Sequence, residues 1–285
     1  MRFLALLALT ACGLSAQSIR PIPWKPSPIK GNGAVKTAAG AGASVQAFFF
    51  PEDIIFPHLA TGAGWETVFT LVNMSTRTVP AEILFFNQQG GELNVTIRAL
   101  PSGEQATGSA FELSLPSGGS STFALVDTTP GQTRTGWAAV DYDTTGVRLG
   151  GFATFRQKIA GRPDFEALVP MSSYEDYIFL LPVDETQGFI TALAVCNPSG
   201  TFPAVVTLEM LDTGGNTVAT RTLNLAPGGH TAFPIREQFP EMAGRMGTLV
   251  VESNTDRLAG LGLRFNTAGG NSFSSVPVMN WSGLF

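Results

Sequence analysis

A segment beginning at position 64 returns 124 residues later, and this recurrence constrains the fold more than any other feature of the chain. Gly64–Ser75 (GWETVFTLVNMS) aligns with Gly188–Ser199 (GFITALAVCNPS), and the same offset carries Gly90-Gly91 onto Gly214-Gly215. Four further blocks follow in the same order. Leu115–Gly119 with Phe123 matches Leu225–Gly229 with Phe233, and Gly136–Asp141 matches Gly247–Glu252. Leu149–Phe152 then matches Leu258–Leu261, and Val169-Pro170 matches Val276-Pro277. Ordered matches of this kind predict two tandem copies of one unit, over about 48–172 and 173–285. The offset shrinks to 110 at the Leu115 block, so the first copy carries extra residues around Pro101–Ala110, a loop or short hairpin.

Within each copy the hydrophobic period is two. Trp65, Thr67, Phe69 and Leu71 alternate with Glu66, Val68, Thr70 and Val72, and Phe189–Cys196 repeats the pattern. Asn87–Gly91 and Asp212–Asn216 read as reverse turns in which Gly supplies positive φ. Charged residues are only 14% of the chain while Gly numbers 32, which favours strands and tight turns over long surface helices. The expected fold is therefore all-β: two tandem β-sandwich domains, Ig-like or jelly-roll-like, each of about seven strands. Arg236–Met242 is the one short helical turn expected. Asn73 and Asn197, each two residues before a Ser, should cap the turn that follows their strand.

The first residues read as an export signal. Met1-Arg2 precedes an apolar run from Phe3 to Ala11, and cleavage after Ala16 would leave Gln17 as the first residue. Leu9–Cys12 also fits a lipobox, in which Cys12 would carry a lipid anchor. Residues 17–47 hold Pro21, Pro23, Pro26 and Pro28 and then a Gly/Ala tract, the composition of a flexible linker. The expected location is secreted or periplasmic, at the cell envelope. No other stretch approaches the length of a membrane span.

Phe152–Gln157 followed by Glu166–Pro170, Leu181–Asp184, and Gly262–Asn266 together resemble a signature of secreted tandem β-sandwich repeat proteins of acidobacterial type. The resemblance covers roughly 55–278. It implies a fold and an exported location and carries no functional residue.

The chemistry-bearing residues are few. A formal charge of −5 with singly scattered Lys and Arg argues against nucleic acid as a partner. His58 and His230 fall at unmatched positions of the two copies and outside zinc-ligand spacings, with His230 at a turn edge. Cys196 aligns with Val72 and reads as a buried apolar thiol. Asp141, Asp143 and Asp212 are the best calcium candidates, against the plainer reading of turn residues that bond their own backbone. No nucleophile elbow or phosphate loop occurs. Arg156 and Arg264, each beside a Phe late in its copy, look like paired structural residues.

The leading expectation is a non-catalytic protein without cofactor, acting in structure, adhesion or interaction with an unidentified protein or glycan. A carbohydrate-binding module is the alternative, with Trp137, Tyr142, Tyr174 and Tyr177 as candidate aromatics. Trp137 aligns with Thr248, so a large group is dispensable there, which makes it the better candidate for exposure, with a core Trp particular to the first copy an equal alternative. An extracellular hydrolase is the third reading.

Overall fold

The computed structural model describes residues 20–21, 54–143, 145–161, 164–173, 177–254, 257–268 and 272–281. The export signal, Cys12, most of the linker and Tyr174 lie outside these residues.

The first half holds β1 (Arg20–Pro21), β2 (Ile54–Thr61), β3 (Trp65–Asn73), β4 (Val79–Asn87), β5 (Val95–Leu100) and β6 (Gln105–Gly108). It continues with β7 (Ala110–Leu115), β8 (Ser120–Val126), β9 (Arg134–Tyr142), β10 (Leu149–Gln157), β11 (Phe165–Pro170) and β12 (Ser172–Ser173). The second half holds β13 (Ile178–Asp184), β14 (Phe189–Cys196), β15 (Ala204–Asp212), β16 (Thr217–Leu225) and β17 (His230–Pro234). After a helical turn come β18 (Met246–Ser253), β19 (Ala259–Asn266), β20 (Ser272–Val276) and β21 (Met279–Asn280). That turn is α1 (Ile235–Gln238) followed by a 3-10 turn at Pro240–Met242, which buries Ile235, Phe239 and Met242. None of the described helices is long and apolar enough to cross a membrane.

The strands form four antiparallel sheets. Sheet I runs β1-β7-β4-β9-β2-β12 and sheet II runs β11-β10-β3-β8-β5-β6. Sheet III runs β16-β15-β18-β13-β21 and sheet IV runs β17-β14-β19-β20. The orders correspond: β7-β4-β9-β2 parallels β16-β15-β18-β13, and β11-β10-β3-β8 parallels β20-β19-β14-β17. The extra residues of the first half form the β5–β6 hairpin, which extends sheet II beyond β8.

One expectation for the linker is corrected. Arg20 and Pro21 pair with Glu112 and Phe111, so this point of the 17–47 segment adds a short strand to the edge of sheet I. The proline occupies the edge position that a residue without an N–H tolerates.

Alternation builds the cores. Phe69, Phe85, Phe111 and Phe123 meet between sheets I and II, with Phe69 ring-to-ring at 5.0 Å from Phe56 and 5.4 Å from Phe123. Leu181, Leu193, Leu208, Met210 and Leu249 fill the space between sheets III and IV. The first cluster does not stop at the half boundary, because Ala194, Leu261, Leu263 and Phe273 pack into it.

Two polar devices recur in both halves. Thr67 Oγ1 accepts from the Ala60 N–H at 3.0 Å and donates to the Ala60 carbonyl at 2.7 Å. Thr191 does the same with Asp184, at 2.9 and 3.1 Å. Each hydroxyl thereby satisfies a backbone donor and acceptor on a strand of the facing sheet.

The asparagine corners follow the expected pattern. The Ser75 N–H donates to Asn73 Oδ1 at 2.8 Å and the Ser199 N–H to Asn197 Oδ1 at 3.1 Å. Asn197 Nδ2 also donates to the carbonyls of Phe202 and Ala226, and Asn73 Nδ2 to those of Arg77, Leu115 and Pro116. Both side chains are fully buried. Replacing Asn197 by Ala strands three backbone groups and should cost about 2 kcal/mol. A urea titration checks this: the midpoint should fall with no change in slope. An unmoved midpoint would mean that water replaces the amide at no cost.

Arg156 and Arg264 are not structural equivalents. Ala153 lies opposite Phe69, and Gly262 lies opposite Leu193, which sets Arg264 on the position of Phe155. A one-residue slip in a strand reverses the face. Arg156 therefore points outward, where it joins Arg98 and Lys158 around Glu66 and also binds Glu166 at 2.7 Å. Arg264 turns toward the facing sheet, stacks on Phe189 with its guanidinium carbon 3.5 Å from the ring centre, and pairs with Asp184.

Candidate functional site

The two halves meet along a seam. Ile55, Leu84, Phe86, Trp137 and Ala139 stand on the outward face of sheet I and close against Cys196 and Ala259 of sheet IV. Trp137 stacks on Phe86 at 4.2 Å, and its indole N–H donates to the Gly228 carbonyl at 2.7 Å. It is fully buried, which corrects the expectation of an exposed aromatic.

Two turns complete the contact. The His230 N–H donates to the Gln88 carbonyl at 3.0 Å, and Gln89 bridges Gly229. A Cβ on Gly90 would fall 2.0 Å from the Pro227 carbonyl oxygen, and Gly90 has φ +85°. Only Gly allows both the close approach and that backbone conformation.

The seam also brings the two histidines together, although they lie 172 residues apart. His58 Nδ1 and His230 Nε2 are 3.0 Å apart, and the rings are stacked at 5.1 Å. Phe155 meets His58 edge-on at 5.2 Å. Burial pushes the His58 imidazole down to about 4, and burial, aided by His58, holds His230 well below its ordinary value. Both rings are neutral at pH 7. His230 Nδ1 is buried without a hydrogen-bond partner. Cys196 lies opposite His230 on β17 and is fully buried, with burial pushing its thiol far up, which disfavours the thiolate.

The calcium candidates separate. Asp212 Oδ1 accepts from the Gly214 and Asn216 N–H groups at 2.8 and 2.9 Å, an Asx turn like that of Asn87. The Asn216 N–H, first among its causes, holds the Asp212 carboxyl below its usual range. Asp143 likewise accepts from the Thr145 N–H and lies 3.7 Å from Arg77. Both are turn residues.

Asp141 belongs to a different group. It lies directly opposite Glu82, and Glu82 lies opposite Glu112, so three carboxylates form a row across β7, β4 and β9. Burial raises the Asp141 carboxyl, and burial plus the two neighbouring charges raises Glu82. The row borders a groove of about 510 Å³ that also includes Tyr142, whose ring packs against the first core. Tyr177, at the entry to β13, is about half exposed.

A larger concavity than the one beside the carboxylate row lies on the second half. A groove of about 740 Å³ runs past Leu180, Pro182, Leu211, Met246, Thr248 and Trp281 and ends beside the Asp184–Arg264 pair. Most of these residues belong to the outward face of sheet III, because Leu249 and Val251 point into the core and their neighbours point away. Met246 and Met279 stand 52% and 46% exposed there. Alternation in the sequence marks this face as outward but gives no sign that it is apolar across strands, since its residues come from β13, β15, β18 and β21. The chain matches no family profile, and no curated protein or solved structure proves similar to it.

Proposed function

We propose that the protein is a non-catalytic, exported interaction protein, with two tandem β-sandwich domains at about 48–172 and 173–285. In this reading it acts in structure or adhesion at the cell envelope or outside the cell, and it contacts its partner through the outward face of sheet III. The observation that carries the reading is a comparison of positions. Ile55, Phe86, Trp137 and Ala139 of the seam correspond in register to Leu180, Leu211, Thr248 and Val250. A face that is buried as a contact surface in the first half thus recurs in the second half, apolar and open.

The test is cosedimentation of the purified protein with isolated bacterial envelopes. Binding is expected, and Met246→Glu with Met279→Glu should abolish it without lowering the melting temperature. Binding that survives the double variant would sink the assignment of the face. Turnover of any glycosidase or esterase substrate, lost in Glu82→Gln, would sink the non-catalytic reading.

Carbohydrate binding is the second reading, favoured by Trp281 lining the groove next to the Asp184–Arg264 pair. An aromatic platform beside charged hydrogen-bonding groups suits a sugar ring. Under this reading Trp281→Ala, and not the methionine pair, should remove glycan binding.

A further inference from the structure

We infer that the outward face of sheet III is the contact surface for a second copy of this chain, the two copies packing sheet III on sheet III about a two-fold axis. This deepens the proposed interaction role and rests on the correspondence of the two halves.

The argument begins with what covers the equivalent face. In the first half the cover is a β-sheet: the outward side of sheet IV, with Ala194, Cys196, Ala259, Leu261 and Leu263. The small, flat side chains of such a surface let two sheets approach to about 10 Å. A cover for sheet III should be of the same kind.

A second copy offers four sheets, and three are unsuitable. Sheet IV is already spent in the seam of its own chain, and sheet I is spent on the other side of it. The remaining part of sheet I carries the carboxylate row Glu112, Glu82 and Asp141, which would bury like charges. The outward face of sheet II is dominated by hydroxyls and ions: Thr70 with Thr122, Thr96 with Thr107, and three cations on Glu66. Sheet III is the apolar sheet face left, and it must therefore meet itself.

Its surface suits that geometry. Leu180, Met246, Leu211 and Met279 form an apolar band around the buried Val250, and beside it Thr207, Thr220 and Thr222 are neutral. A two-fold contact requires a patch that complements itself, as apolar atoms and uncharged hydroxyls do. Four strands of seven to nine residues and the two-residue β21 present roughly 550 Å², less than the roughly 800 Å² on one side of a standard interface and suited to a weak dimer. Asp184, Asp212 and Arg264 line the groove, and Glu209 and Glu252 stand on the face as further carboxylates. Their repulsion makes the dimer stronger at higher salt, the opposite of an ion-paired contact.

The test uses sedimentation velocity on the whole protein between about 1 and 200 μM. A monomer–dimer equilibrium is expected, strengthened by raising NaCl to 0.5 M. Met246→Glu with Met279→Glu should shift it at least tenfold toward monomer. Leu168→Glu, an equally exposed apolar position on the first half, should leave it unchanged. A protein monomeric throughout, or a dimer insensitive to the methionine pair, overturns the inference. Envelope cosedimentation separates the two levels. A monomer that still binds envelopes through Met246 and Met279 loses the second copy but keeps the interaction role, and a monomer that binds none loses both.

Discussion

Replacing Trp137 with Ala should split the unfolding of this protein into two transitions, with the first moved down by about 10 °C. The indole is fully buried, stacks on Phe86 and bonds the Gly228 carbonyl from across the seam. Truncating a buried Trp costs about 3–5 kcal/mol through lost contacts and the cavity left behind, and a kcal/mol moves the midpoint of a domain this size by about 2–4 °C. The cavity would open where the halves join rather than inside either core. The core between sheets III and IV keeps its own strands and side chains, and the core between sheets I and II keeps its packing with Ala194, Leu261, Leu263 and Phe273 of the second half. Coupling across the seam is therefore weakened along with stability. Trp137→Phe keeps most of the ring but strands the Gly228 carbonyl, and should cost about 1–2 kcal/mol. Differential scanning calorimetry checks both variants. A single cooperative transition in Trp137→Ala, unmoved from that of the unaltered protein, would show that the seam does not couple the halves.

Acidification should loosen the same seam. An imidazole has an ordinary value of about 6.5, and in the folded protein burial lowers His58 to about 4. Between these values the unfolded chain binds more protons than the folded one, so stability rises with pH. The contribution is complete above about pH 6.5 and is lost as pH falls toward 4, and from His58 alone it amounts to about 3 kcal/mol. His230, lowered in the same direction, adds to it. Glu82 and Asp141 act oppositely: their carboxyls are raised in the fold, so acid relieves them. The histidine part is isolated by comparison with His58→Gln, which keeps the carboxylate row. Urea midpoints at pH 7.5 and pH 4.5 should differ by more in the unaltered protein than in His58→Gln. Equal differences would mean that the pair is not neutral in the seam.

Particular residues show how far the chain could be read without its fold. The Asn73 and Asn197 corners, the Asx turns at Asn87 and Asp212 and the buried Cys196 were each legible, because each depends on neighbours within a few residues or on a match between the halves. The turn at Arg236–Met242 was legible for the same reason. Arg156 and Arg264 both form the ion pairs their recurrence suggested, but one residue of slip sets them on opposite faces of their strands. Trp137 is instructive. Its mismatch with Thr248 left exposure and a core Trp particular to one half both open, and the side chain proved to serve a seam that covers the first half.

The sequence by itself determined the all-β character and the turns at Asn87–Gly91 and Asp212–Asn216, since a period of two and the φ demands of Gly, Asn and Asp are local properties. Tertiary structure alone decided which outward face became a seam, that His58 meets His230, that Glu112, Glu82 and Asp141 stand in one row, and that sheet III is left open. Alternation tells inward from outward for a single strand. What an outward side chain meets depends on strands brought alongside from tens or hundreds of residues away, and no local pattern encodes that.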